Sequence, residues 1–158
     1  MEVKSRAIGA RRGVTLVELL AAMLVLGILV LVGFPQYQKY LVRMQVQQAT
    51  TDIIALAAKI DYYYNDSGQY PVDLSVVGCS ATSCIDPWGN PYQYIDHALT
   101  KGNGHVRRDR SLNPLNNDYD LYSMGQDGLS SLPITQKDSL DDVIRASNGH
   151  YFGLASNF

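Results

Sequence analysis

Val14-Thr15-Leu16-Val17-Glu18-Leu19-Leu20-Ala21-Ala22-Met23-Leu24-Val25-Leu26-Gly27-Ile28-Leu29-Val30-Leu31-Val32-Gly33-Phe34 is apolar throughout except at Thr15 and Glu18. About 20 such residues span a bilayer as a helix. The stretch follows Lys4, Arg6, Arg11 and Arg12, which give residues 1–13 a net charge of +3 against −5 for the remainder. Flanking cations stay on the cytoplasmic side, so the body is expected on the other side of the membrane. An ordinary secretory signal has a shorter apolar run followed by a small-residue cleavage site. Here the run is longer, and Phe34-Pro35-Gln36-Tyr37 follows it. A plain single-pass anchor would leave Glu18 unexplained, because a carboxylate inside an apolar segment is costly and usually has a partner or a function.

The periodicity continues beyond the apolar run. Tyr37, Leu41, Met44, Ala49, Ile53, Leu56, Ile60 and Tyr63 or Tyr64 recur at helical spacing, with charged and amide residues between them. One helix is predicted from about Thr15 to Asn65, continuous or broken near Pro35. Proline removes an amide and Gly33 weakens the same turn, so a kink or local melting is expected there. The stripe from Ala49 to Tyr64 is expected to pack on the rest of the chain. Asp66-Ser67-Gly68-Gln69-Tyr70-Pro71 ends the helix with turn residues.

Residues 66–158 carry shorter patterns. Pro91–Ile95 and Tyr119–Met124 alternate and are rich in aromatics, so both read as strands; Gly149–Leu154 is a candidate third. An antiparallel sheet packed on the second half of the helix makes an α+β fold. The resulting organisation is a basic N-terminal segment (1–13), an apolar helix of membrane-spanning length (14–35), an amphipathic helix (36–65) and a β-sheet head (66–158); the resemblance given next implies that the first is a leader and that the second drives polymerisation.

Two motifs carry a resemblance. Arg11-Arg12-Gly13-Val14-Thr15-Leu16-Val17-Glu18 resembles the class III signal of type IV pilins and type II secretion pseudopilins: a basic leader, a glycine, then Phe-Thr-Leu-Ile-Glu and an apolar run. Val14 stands where that pattern usually has Phe. The resemblance implies that prepilin peptidase cuts between Gly13 and Val14 and that the new terminus is methylated. It further implies that Glu18 pairs with the α-amino group of a neighbouring subunit's Val14, and that Pro35 marks where the helix extends on assembly. An unpaired charge in lipid is severely penalised, so such a pair would set the axial register of the helices. The second motif is Asp86-Pro87-Trp88-Gly89-Asn90-Pro91-Tyr92-Gln93-Tyr94 followed by Asp118–Gly128. It is similar to the head of the major pseudopilin of type II secretion. That family binds calcium in the loop after Asp-Gly, which implies a site formed by the Met124 carbonyl, Asp127, Asp141 and Asp142. The segment Leu129–Leu140 is longer than the family's and lacks its glycines. Trp88 is expected to be a core residue.

The resemblance also implies the partners: copies of this chain in a helical filament, prepilin peptidase, an inner-membrane assembly platform and minor pseudopilins. The implied location is the inner membrane, single-pass with the head in the periplasm, before extraction into a filament. Close cysteines in an exported chain favour a disulfide, so Cys79 and Cys84 are expected to form a small-loop bridge, with free thiols as the alternative.

Other chemistry finds little support. The body is mildly acidic, which argues against nucleic acid as a partner. Arg107-Arg108-Asp109-Arg110 is read as a solvated loop or subunit contact. His97, His105 and His150 belong to no recognisable catalytic arrangement. Tyr62-Tyr63-Tyr64 reads as packing at the helix end. The leading expectation is a non-enzymatic pseudopilus subunit. A type IV pilus subunit for adhesion or twitching is the alternative, and Cys79–Cys84 suits it better. A membrane-anchored periplasmic enzyme is the third reading.

Overall fold

The computed structural model describes residues 13–100 and 104–158. Residues 1–12, with the basic leader side chains Lys4, Arg6, Arg11 and Arg12, lie outside the described residues. The chain divides into two compact units, Met1–Tyr40 and Leu41–Phe158.

Helix α1 runs Leu16–Ser67 and carries Pro35 inside it. Of the two alternatives at Pro35, continuous or broken, the helix is continuous. A proline in a helix costs about 3 kcal/mol, which is small beside the hydrogen-bond ladder of the other 51 residues. The helix stops where the sequence places turn residues. Gly68 takes a left-handed φ of 76°, and its amide donates to the Tyr64 carbonyl at 2.8 Å. That is a glycine C-cap.

In the second unit four antiparallel strands form a meander in the order β1-β2-β3-β4. They are β1 (Gln93–Asp96), β2 (Tyr119–Ser123), β3 (Val143–Ala146) and β4 (Tyr151–Leu154). Tyr94 pairs with Leu121, Tyr122 with Ile144, and Arg145 with Phe152. Strand β3 is an addition to the sequence reading. Ser147, Asn148 and Gly149 all have positive φ and turn β3 into β4.

The sheet buries both faces. On one, Ala49, Ile53, Leu56, Ala57 and Ile60 of α1 pack with Tyr92, Tyr119, Leu121 and Val143. These helix positions recur every three or four residues, which puts them on one side. Two polar ties fix the docking. The Tyr92 hydroxyl donates to Asp52 at 3.0 Å, and the Tyr119 hydroxyl donates to Asp61 at 3.1 Å. On the opposite face Ile144 and Ala146 meet Leu115, Ile134 and Ala155, which come from the connecting loops and the C-terminus. Arg145 lies over the Tyr119 ring, 3.9 Å from its centroid, and pairs with Asp118 at 2.6 Å. Burial pushes the Asp118 carboxyl up, but hydrogen bonds from Arg145 and the Tyr119 amide outweigh this and hold it below the usual value. Cys79 and Cys84 are joined in a disulfide, as the sequence suggested. Their loop is short, so the bridge removes little chain entropy.

Ile60 is fully buried at the helix–sheet contact. Ile60→Ala is expected to lower stability by about 2–5 kcal/mol, read from denaturant unfolding. Burial raises the Tyr92 and Tyr119 hydroxyls above the ordinary tyrosine value of 10.0, with Asp52 and Asp61 adding to the shift. The folded state then holds protons that the unfolded chain releases. Its stability is therefore fully present below pH 10.0 and falls as pH rises beyond it. A urea midpoint that drops steeply on the alkaline side of that value is the expected result.

Candidate functional site

Two regions carry the residues that the sequence singled out. The first lies at the start of α1. Gly13, Val14 and Thr15 precede the first helical residue, and all are exposed. The Thr15 amide donates to Glu18 Oε2 at 2.9 Å, and the Thr15 hydroxyl donates to the same oxygen at 2.9 Å. The Glu18 amide donates back to Thr15 Oγ1 at 3.3 Å. This is a capping box, in which residues three apart satisfy each other's orphan groups at a helix start. Thr-x-x-Glu before an apolar run was its legible signal, although the sequence reading used Glu18 alone. The carboxylate is thus oriented at the N-terminal end of the helix, where the helix dipole favours a negative charge. Every residue from Gly13 to Met44 is exposed, including Leu16, Leu24, Leu31 and Phe34. An apolar surface this long is unsuited to water and matches lipid or other apolar helices.

The second region surrounds the connection from β2 to β3. It is anchored by Asp86, the buried first residue of the second motif, to which the sequence reading gave no role. Asp86 Oδ1 accepts from the amides of Trp88 and Asn90, at 3.1 and 2.8 Å. Its Oδ2 accepts from the Ser123 hydroxyl at 2.5 Å. Asp-Pro-Trp-Gly-Asn is an Asx-turn sequence, so the signal was present. The turn sets half-buried Trp88 against the helix–sheet core and aims Asn90 Nδ2 at the Gly125 carbonyl, 3.2 Å away.

The three carboxylates implied as calcium ligands are each engaged within the protein. Asp141 Oδ2 accepts from the amides of Gln126 and Asp127, at 2.7 and 3.0 Å. Asp127 Oδ1 accepts from the Leu129 amide at 2.8 Å. Asp142 turns into the protein, where its Oδ2 pairs with Arg107 Nη2 at 2.6 Å and accepts from the Ser130 hydroxyl at 2.7 Å. Met124 follows the end of β2 and is partly buried. Among the described residues no group of three or more His, Cys, Asp or Glu side chains is placed to hold a metal ion. Calcium needs several oxygens directed at one point. Asp141 Oδ2, Asp127 Oδ1 and Asp142 Oδ2 instead accept N–H and O–H donors of the protein, so the side chains present do not fit the ion.

Arg107 is the largest departure from the sequence reading. It is 1% exposed, where a solvated basic loop was expected. Its amide donates to Asp120 at 2.7 Å, its guanidinium also reaches the Ser130 hydroxyl, and its Cζ lies 4.2 Å from the centre of the Tyr122 ring. Burial pushes the Asp142 carboxyl up, while Arg107 and Ser130 pull against it. His97 Nε2 lies 3.1 Å from Asp120. His150 Nδ1 lies 2.7 Å from the Ser147 carbonyl of its own turn.

The chain is similar to known proteins. Residues 8–34 match the family model described as the prokaryotic N-terminal methylation motif. Type II secretion system core protein G of Pseudomonas aeruginosa is 31% identical over 73% of this chain and 84% of its own length. The chain belongs to the pilin-like family of type II secretion core protein G. Wider pilin kinship is also present. The type IV major pilin protein PilE of Neisseria gonorrhoeae is 33% identical over 48% of this chain and 45% of its own. A fimbrial protein of Neisseria meningitidis serogroup B is 28% identical over 87% of this chain and 84% of its own. No solved structure matches the chain. The pseudopilin-like chain thus combines the family's N-terminal helix with a head whose loop is closed by its own side chains.

A Cβ built on Gly125 would lie 2.5 Å from the Asp141 carbonyl oxygen and 2.6 Å from Asp141 Oδ2, and Gly125 has φ 65°. Gly125→Ala is therefore expected to destabilise the head by more than about 1 kcal/mol, measured by chemical denaturation.

Proposed function

We propose that this protein is a structural subunit of a type II secretion pseudopilus. The observation that carries the reading is the similarity to core protein G, which extends beyond the methylation motif into the head at 31% identity. On this reading prepilin peptidase removes residues 1–13 and the Val14 amine is methylated. The subunit waits in the inner membrane on its apolar helix, with the head in the periplasm. An assembly platform then draws it into a filament that drives protein export across the outer membrane. Minor pseudopilins would cap that filament.

The chain's own residues have defined tasks in this scheme. Gly13 and Val14 lie in exposed backbone ahead of the helix, where a peptidase can reach them. The Thr15–Glu18 capping box satisfies the carboxylate while the subunit is alone. In the filament the freed amine of a neighbouring Val14 offers Glu18 a cation, a stronger partner than a hydroxyl. The long apolar face supplies the rest of the contact. The chain carries out no bond chemistry itself.

A second reading, a type IV pilus subunit used for adhesion or twitching, is favoured by the Cys79–Cys84 bridge. A deletion strain separates the two. Loss of exoproteins from the medium with surface fibres intact supports the secretion reading. Loss of fibres with secretion intact supports the pilus reading.

Glu18→Ala is expected to abolish incorporation into filaments while near-ultraviolet circular dichroism of the head stays unchanged. Co-expression with prepilin peptidase should yield a chain that begins at a methylated Val14 by mass spectrometry. An uncleaved chain would count against the whole scheme.

A further inference from the structure

We propose that the Arg107 guanidinium is a built-in cation that closes the β2–β3 connection of this head, so that the loop folds without calcium. The inference rests on the family reading, from which a cation in this loop is expected, and on the disagreement between that expectation and the side chains present.

A loop rich in carboxylates needs positive charge or N–H donors to hold it in one shape. Around residues 124–142 both are supplied by the protein. The Gln126 and Asp127 amides converge on one oxygen of Asp141. Gly125 passes so close to Asp141 that no Cβ fits between them. One side chain then joins the far end of the connection to the rest of the head. Arg107 binds Asp142 at 2.6 Å and reaches Ser130, which itself donates to Asp142 at 2.7 Å. Asp142 is 0% exposed and Arg107 1%. A buried carboxylate must be paired or hydrogen-bonded, and removing its partner leaves an uncompensated charge.

A divalent cation beside the Arg107–Asp142 pair would meet the guanidinium's charge at close range. The segment around Arg107 is also locked into place. The Leu115 amide donates to the Arg107 carbonyl at 2.9 Å, and the Ile134 amide donates to the Arg108 carbonyl at 3.0 Å. The connection between β1 and β2 therefore delivers a cation to the connection between β2 and β3. The lengthened Leu129–Leu140 segment belongs to this arrangement, since Ser130 lies inside it and Leu132 accepts from the Arg108 amide at 2.8 Å.

The test uses the full-length protein in detergent micelles, with thermal unfolding followed by near-ultraviolet circular dichroism. Calcium chloride is added to one sample and excess EGTA to another. Any ligand bound by the folded state alone must raise the midpoint by mass action. Equal midpoints are expected. A rise of several degrees with calcium, lost in Asp127→Ala, would overturn the proposal. Arg107→Met keeps the alkyl stem and removes the charge, and its midpoint should fall sharply in either solution. Arg107→Met with Asp142→Leu should regain part of the loss, because the stranded charge is gone. A single variant that melts like the parent would also overturn the idea. Should Arg107→Met fail to fold, the calcium comparison on the parent protein still decides. A calcium-independent parent that fails to enter filaments or to support secretion would leave this inference standing and sink the function proposed above.

Discussion

The apolar and aromatic contact between the middle of α1 and the inner face of the sheet governs the rest of the head. Ala49, Ile53, Leu56, Ala57 and Ile60 offer a face of small and medium side chains, and the sheet meets them with Tyr92, Tyr119, Leu121 and Val143. Aromatic rings give a four-stranded sheet enough area to bury against a single helix. The rings have polar tips, and those tips need partners once water is excluded. Asp52 and Asp61 provide them from the helix, nine positions or two and a half turns apart. Tyr119 is central to this contact, because it also packs against Tyr70, Tyr94 and the Arg145 guanidinium. Shifting the helix by one turn would break both hydroxyl contacts and misplace the apolar face.

Once that face is fixed, the loops have a definite task. A sheet buried on one side by a helix still has another side, and here loops cover it with Leu115 and Ile134. Loops carry backbone polar groups that must be satisfied. The carboxylates of this head meet that need. Asp86, Asp109, Asp127 and Asp141 each accept backbone amides. The aspartates of these loops are spent largely on closing turns.

The helix was legible because its two signals are strong and local: a long apolar run, then a stripe of period 3.6 that ends at Gly68. Strands β1, β2 and β4 were legible from their tyrosines, within two residues at each end. Strand β3 was not. Val143-Ile144-Arg145-Ala146 is four residues long, follows two aspartates and has a charge in its middle. Only the stacking of Arg145 on Tyr119 and its pair with Asp118 make that charge tolerable, and neither can be read from a short window. Arg107 failed for the same reason. A run of basic residues looks solvated until a carboxylate from 35 residues away is placed beside it. Gly13, Val14 and Glu18 came from resemblance, and they lie within residues 8–34 that match the N-terminal methylation motif; the calcium ligands came from resemblance alone, across a segment that is longer here than in the family.

The exposed apolar helix has a consequence for the energetics of exchange. On the proposed reading, such a surface leaves no appreciable pool of dissolved subunits, and a subunit would move only between a bilayer and a bundle of its own kind. Lipid tails and neighbouring helices are about equally oily, and the hydrophobic effect barely distinguishes them. The choice between the two environments falls to shape and to polar atoms, of which the segment from Val14 to Phe34 offers very few. A single carboxylate, held by its own threonine, is thereby given the deciding vote between storage and use.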